Sequence, residues 1–176
     1  MLIKNAHQIS TEQGDEGFTR NLANEVLSKD DILFDVLGTL DELQAFLGLC
    51  FHERPLEIVK TVQKALQAIS AGIAFDPAAG HKAPAPWTAF GRGDLGLIEA
   101  EEQLILDAKP IEAGFSLLGT EDTPAGALFN VARTVCRRAE RVFVHYVRLS
   151  GRTDLGIALR YLNRLSDLLY VLTKNS

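Results

Sequence analysis

The chain has 176 residues, 47% of them hydrophobic and 23% charged, with 18 Lys and Arg against 23 Asp and Glu for a net charge of −5. These proportions suit an ordinary globular chain and exclude collagen, a disulfide scaffold and wholesale disorder. The acidic total argues against general binding to nucleic acid or anionic membranes, no apolar run reaches the ~18 residues of a membrane span, and the opening MLIKNAHQIS has neither the apolar core nor the cleavage pattern of a secretory signal.

Residues 1–28 are polar, with glycines at 14 and 17, and read as an arm that must dock on something. The arm extends to residue 31, ahead of a helical bundle over 32–176. Leu33, Val36, Leu37, Leu40, Leu43, Leu47 and Cys50 recur every three or four residues, which predicts a helix over 32–52. Ser28 ahead of Asp30 and Asp31 suits its start. Pro55 is placed to open a second helix through Val59, Val62, Leu66, Ile69 and Ile73. Residues 76–93, rich in proline and glycine, read as a long connection. A third helix follows over 94–107. Thr123–Pro124, a cap and a first-turn proline, opens a fourth that runs to about Leu149, where Ser150–Gly151 breaks it. The fifth covers 154–173. With no convincing strand, the expected class is all-α, an antiparallel five-helix bundle with an N-terminal arm.

Several motifs carry little. Cys50 and Cys136 form no CxxC or zinc pattern and read as small buried hydrophobes in a reducing cytoplasm. Gly91, Gly93 and Gly96 spell GxGxxG, but no strand precedes them and no βαβ unit follows, so they read as a loop feeding the third helix. His7, His52, His81 and His145 make no HExxH or ExxH, which disfavours a di-iron carboxylate bundle.

The informative segment is RTVCRRAER at 133–141. On a helix with Arg133 at zero, Arg137, Arg148 and Arg141 fall at about 40°, 60° and 80°, and Glu140 at about 340°. Val131, Val135, Ala139, Val142, Phe143 and Tyr146 take the opposite arc, and Arg138 lies off the stripe. On the last helix, Arg160, Asn163, Arg164 and Asp167 share about 100° of arc while Leu162, Leu165, Leu169 and Leu172 point elsewhere. Arginine's planar fork binds phosphate oxygens bidentately and keeps its charge. Two readings stand on this pattern: a solvated face of i,i+4 pairs, or a site for a phosphate-bearing ligand.

RTVCRRAER followed by YLNRLSDLLY resembles the C-terminal half of the PduO-type ATP:cob(I)alamin adenosyltransferases. TEQGDEGFT at 11–19 is similar to that family's Thr-x-x-Gly-Asp-x-Gly-x-Thr/Ser loop, Lys29 follows at the family's distance, and VLGTLDELQAFLG at 36–48 is similar to its Gly-Thr-x-Asp-Glu-Leu-Asn helix. The four motifs stand in order across essentially the whole chain. The resemblance implies a five-helix bundle assembled as a homotrimer, with ATP bound between subunits under the arm and a corrinoid in an adjoining apolar cleft. The 5′-deoxyadenosyl group of ATP would pass to Co(I), releasing triphosphate, with Mg²⁺ assisting; the metal's ligands are left open.

Carried over by position, Thr11, Gly14 and Thr19 would line the nucleotide loop and Lys29 would contact phosphate. Arg137, Glu140, Arg141 and Asn163 would bind ATP, with Arg137 also serving catalysis and Arg133, Arg164 and Asp167 in support. Phe115, in AGFSLLG, matches the aromatic residue that helps empty the lower axial position of cobalt, or else it is a plain loop-anchoring Phe. The chain departs from the pattern at Glu12, where Lys or Arg is usual. It also departs across 24–28, at Leu118 and Thr120 in place of a Pro-Gly-Gly turn, and at Asn130, where His is common. Asp35 and Gln44 are milder changes. These departures leave two rivals to the enzyme. One is a member that binds ATP or corrinoid without turnover, for delivery or sensing. The other is a structural trimer whose arginines pair with residues such as Asp41 and Glu42.

Overall fold

Leu33, Val36, Leu40, Leu43, Leu47 and Cys50 are all buried, and they place one face of the 22-residue helix α1 (Ile32–Glu53) in the core. The computed structural model describes residues 3–10, 12, 14–21, 24–75, 80, 82–112, 114 and 117–176. After α1 come α2 (Glu57–Ala74), the one-turn α3 (Ala85–Ala89), α4 (Arg92–Ala108), α5 (Pro124–Ser150) and α6 (Gly156–Asn175). Five long helices make the all-α bundle the periodicity predicts. Among the described residues no helix is long and apolar enough to cross a membrane.

Local chemistry sets the boundaries, sometimes against expectation. Asp31 caps α1, its carboxylate accepting from the Leu33 amide at 2.9 Å, so the cap stands three residues beyond Ser28. Ser28 ends a strand instead. Pro55 lies ahead of α2 and does not open it, because the chain stays extended at Leu56 to pack that side chain against the core. Thr123 caps α5 as expected, accepting from the Gly126 amide at 3.0 Å with Pro124 in the first turn. Gly151 ends it at φ 66°. The Gly91 amide donates to Asp94 at 2.8 Å, so the GxGxxG stretch is the start of α4.

A short hairpin and a one-turn helix escape the sequence pattern. Strands β1 (Phe18–Arg20) and β2 (Val26–Ser28) pair antiparallel, with Phe18 opposite Ser28 and Thr19 opposite Leu27. Three residues are too few to show a two-residue period. Asn21 closes this hairpin by accepting from the Glu25 amide at 2.9 Å. The short α3 lies inside the expected connection and is pinned by aromatics. Trp87 stacks on Phe90 at 5.7 Å, and Phe90 meets the buried Tyr161 edge-on at 5.4 Å.

Consecutive long helices run antiparallel. Thr123 Oγ1 donates to the Ser176 carbonyl at 3.0 Å, which joins the start of α5 to the end of α6. Arg54 at the end of α1 donates to the Asn175 carbonyl at 2.7 Å. With α5 between them in sequence, α4 and α6 run parallel side by side, Glu99 meeting Arg164 and, a few turns on, Leu106 and Val171 lining one hollow. The α5–α6 approach is close: a Cβ on Gly126 would stand 2.8 Å from the Thr173 carbonyl. Cys50 and Cys136 are buried and free, and burial pushes the Cys50 thiol up to about 12.

Arg152 ties down the far end. Its Nε and Nη2 donate to the two oxygens of Asp154 at 2.7 Å, and its Nη1 and Nη2 donate to the Phe75 and Gly72 carbonyls at 2.5 and 3.0 Å. The orphan carbonyls ending α2 are thus met by a cation, which suits the helix dipole. The hydrogen bond from Arg152 holds the Asp154 carboxyl below its usual range.

Arg152→Met should cost about 2–3 kcal/mol, a fall of roughly 5–10 °C in Tm for a chain of this size. Because the folded state favours ionised Asp154, this share of stability is present above about pH 4 and is lost as pH falls through the depressed folded value. The gap between wild type and variant therefore narrows in acid; thermal melts across pH showing a constant gap would contradict the assignment. A Cβ on Gly72 would stand 2.3 Å from the Trp87 ring. Gly72→Ala should accordingly cost about 1–3 kcal/mol and red-shift the emission of Trp87, the single tryptophan. An unshifted spectrum would mean that α3 does not rest on α2.

Candidate nucleotide and corrinoid site

The core arc of α5 is built from small and aromatic residues, among them Ala132, Val135, Cys136, Ala139 and Phe143, all buried. That packing fixes the opposite arc. Arg133 and Glu140 are half-buried there, and Arg137 and Arg141 are exposed. Val131, expected on the core arc, is 40% exposed, because it stands at the rim where no neighbouring helix covers it. On α6, Leu162, Leu165, Leu169 and Leu172 are buried, and Arg160, Asn163, Arg164 and Asp167 face outward as the pattern predicts.

The two polar strips join across the helix seam. Asn163 Nδ2 donates to Glu140 Oε1 at 3.1 Å, and Asn163 Oδ1 accepts from Arg164 Nη1 at 3.0 Å. Arg164 Nε continues to Glu99 at 3.2 Å, with Asp167 3.9 Å from Nη1. Arg138 pairs with Glu42 on α1, within the same chain. Arg164 and Arg138 are therefore occupied by carboxylates. Arg141 donates only to the Arg137 carbonyl, at 3.2 Å, and the Arg137 guanidinium meets no carboxylate among the described residues. A cation left open in this way is ready for an anionic ligand.

Arg133 and Arg137, with Tyr170 of α6, form the wall shared by two hollows. The larger, of about 590 Å³, lies under the loop before α5 and is lined further by Leu118, Glu121, Asn130 and Thr173. The smaller, of about 500 Å³, includes Glu102, Ile111 and Asp167. Burial, seconded by the nearby Asp167 charge, pushes the Glu102 carboxyl up. The loop is tied at two points. Tyr170 Oη donates to the Gly114 carbonyl at 3.2 Å, and Glu121 accepts from Asn130 Nδ2 at 2.5 Å and from the Gly119 amide at 2.9 Å. The Asn130 hydrogen bond is the main reason that the Glu121 carboxyl sits below its usual range. Phe115 falls in this loop but outside the described residues, as does Thr11 in the arm.

The arm residues gather elsewhere. Lys29 lies over Gly14 so closely that a Cβ there would stand 2.9 Å from Nζ, and the Lys29 amide donates to the Gly17 carbonyl at 2.8 Å. Thr19 sits in β1 beside them. The turn of the hairpin, at Asn21 and Glu25, and Leu27 next to it line one hollow with Tyr146 and Ser150 at the end of α5 and with Arg152 just beyond it. Arg137 and Arg133 lie roughly 20–25 Å back along that helix. One chain thus brings together Arg133, Arg137, Glu140, Arg141, Asn163, Arg164 and Asp167, and separately Gly14, Thr19 and Lys29. Glu121, Tyr170 and Lys174 also line the larger hollow, and sequence reasoning had not singled them out. No spacing rule links Glu121 to Asn130 nine residues on; only the turn into α5 does.

The family model described as cobalamin adenosyltransferase matches residues 9–175. The chain is similar to a corrinoid adenosyltransferase of Citrobacter freundii, with 34% identity over 176 residues, covering 96% of this chain and 94% of that protein. It is also similar to the corrinoid adenosyltransferase MMAB of Homo sapiens, with 32% identity over 178 residues, covering 95% of this chain and 68% of that one. Its fold superposes on a Phe-to-Ala variant of the PduO-type ATP:corrinoid adenosyltransferase from Lactobacillus reuteri complexed with cobalamin and ATP. The TM-score is 0.82 at 25% identity, over 95% of this chain and 92% of that chain. The chain belongs to the cobalamin adenosyltransferase family.

Proposed function

We propose that this protein transfers the 5′-deoxyadenosyl group of ATP to the Co(I) of a corrinoid and releases triphosphate. The observation that carries the reading is the open guanidinium of Arg137, at the wall between the cleft under the 114–122 loop and the polar seam of α5 and α6. The corrinoid occupies the larger hollow beneath that loop. ATP lies along the seam, its phosphates on Arg137 and Arg141 and its polar edges on Glu140 and Asn163. Thr11, Gly14, Thr19 and Lys29 close over the phosphates. Phe115 takes the role that the family resemblance gives it, helping to empty the lower axial position of cobalt.

Co(I) is itself a strong nucleophile, so the protein supplies no general base. Its task is to hold C5′ in line with cobalt. As the cobalt–carbon bond forms, the C5′–O bond breaks and its electron pair leaves with triphosphate. Arg137, Arg141 and Lys29 stabilise that growing charge. Among the described residues no three His, Cys, Asp or Glu side chains converge into a metal cage. The Mg²⁺ that the resemblance implies therefore has no protein cage there.

The arm and the seam lie too far apart in one chain for Lys29 and Arg137 to share a triphosphate. A homotrimer in which the arm of one subunit covers the seam of the next resolves this, and residues 1–31 are then a nucleotide arm on a bundle of residues 32–176. Two buried free thiols suit a reducing compartment such as the cytoplasm.

Mixing the protein with ATP, Mg²⁺ and chemically reduced corrinoid should convert the visible spectrum to that of the alkylated corrinoid. Thermal stabilisation by ATP without conversion would make it a binding protein without turnover, and neither response would end the reading. Arg137→Ala should weaken ATP binding about tenfold or more, the scale of a lost charge-assisted contact. Arg138→Ala, which removes only an exposed pair with Glu42, should change it less than about twofold. Equal losses in calorimetric titration would show that the open cation is not where the triphosphate binds.

A further inference from the structure

The Glu121–Asn130–Arg133 chain has a logic that its two distances make definite. Asn130 is 9% exposed and lies between an acceptor-only carboxylate and a donor-only guanidinium. Its Nδ2 donates to Glu121 Oε1 at 2.5 Å, and its Oδ1 accepts from Arg133 Nε at 2.9 Å. Turning the amide over would set NH₂ against guanidinium and oxygen against carboxylate, so both contacts would become repulsive. The other Glu121 oxygen is held by the Gly119 amide at 2.9 Å, and Gly119 has the left-handed φ of 86°. Thr120 Oγ1 closes the same turn by donating to the Leu117 carbonyl at 2.7 Å. The carboxylate is therefore anchored by the loop before it touches the helix.

We propose that Glu121 is a positioning residue: through Asn130 it sets the direction of the Arg133 guanidinium at the wall of the larger hollow, and so tunes corrinoid binding. This deepens the proposed function and rests on its assignment of that hollow to the corrinoid. Arg133 Nε is spent on Asn130, which aims the two Nη groups away from that contact. Because the loop also carries Leu118 into the hollow, the same carboxylate couples loop position to arginine direction. The occupant served is the corrinoid, since Glu121 and its loop line the larger hollow only.

Two readouts on the full chain test this. In ¹⁵N NMR the Arg133 Nε–H signal, assigned by its loss in Arg133→Lys, should exchange slowly in the wild type. Glu121→Gln lets the Asn130 amide adopt either orientation, and Asn130→Ala removes it. Both should speed exchange about tenfold, the scale of one net hydrogen bond. Asn130→Asp made in the Glu121→Gln chain, where the new side chain can accept from Arg133 with no carboxylate facing it, should restore protection. In steady-state assays Glu121→Gln should raise the corrinoid KM about fivefold to tenfold, with the ATP KM within about twofold and Tm nearly unchanged. Unaltered Arg133 exchange in Glu121→Gln, or equal rises in both KM values, would overturn the inference. A wild type that protects Arg133 but alkylates no corrinoid would instead overturn the proposed activity and leave the relay standing.

Discussion

The site depends on how α5 packs against α6. Small residues on α5 let the two helices approach until a Cβ at Gly126 would strike the Thr173 carbonyl. At that separation the polar strips of both helices meet along one seam, and Asn163 reaches Glu140 directly. Larger residues on the buried arc would spread the helices and leave two unrelated charged faces. The close packing of protein interiors makes such spacing a discrete property of the sequence and not an adjustable one.

Charge is then distributed unequally along the seam. Guanidiniums packed this closely repel one another unless carboxylates or a ligand offset them, and here the offset is selective. Arg138 and Arg164 are matched by Glu42, Glu99 and Asp167, and these exposed pairs contribute little to stability. Their effect is to leave the positive potential at Arg137, which lines both hollows, and at Arg141 one turn along α5. The wall shared by the two hollows, Arg133, Arg137 and Tyr170, is the part of the chain on which the proposed binding of triphosphate and corrinoid side by side rests. An electrostatic site of this kind works only if its donors are fixed beforehand. The half-buried Arg133, held by a single amide, shows how the chain does that with few atoms.

How much was legible in the sequence differs by element. The three/four spacing of Leu40, Leu43 and Leu47 revealed α1, because burial of one helical face imposes that period. The stripe of Arg133, Arg137 and Arg141 was visible for the same reason, read on the opposite face. The hairpin at Phe18–Ser28 and the turn at Ala85–Ala89 were not visible. Their residues are held by contacts with distant elements, such as Phe90 against Tyr161, and short segments carry no period. Pro55 misled because a local preference for opening a helix lost to the burial of Leu56.

By itself, then, the sequence determined the five long helices, the caps of α5 at Thr123 and Gly151, and which residues of α5 and α6 avoid the core. These follow from interactions spanning at most a few residues. Only the tertiary structure decided which arginines remain open, since Glu42 and Glu99 lie on other helices and their partners depend on how those helices pack. It likewise decided that Glu121 faces Asn130, and that the arm rests at the far end of α5 from the cleft. Charge pairing across a bundle is a matter of three-dimensional distance, and distance along the chain does not encode it.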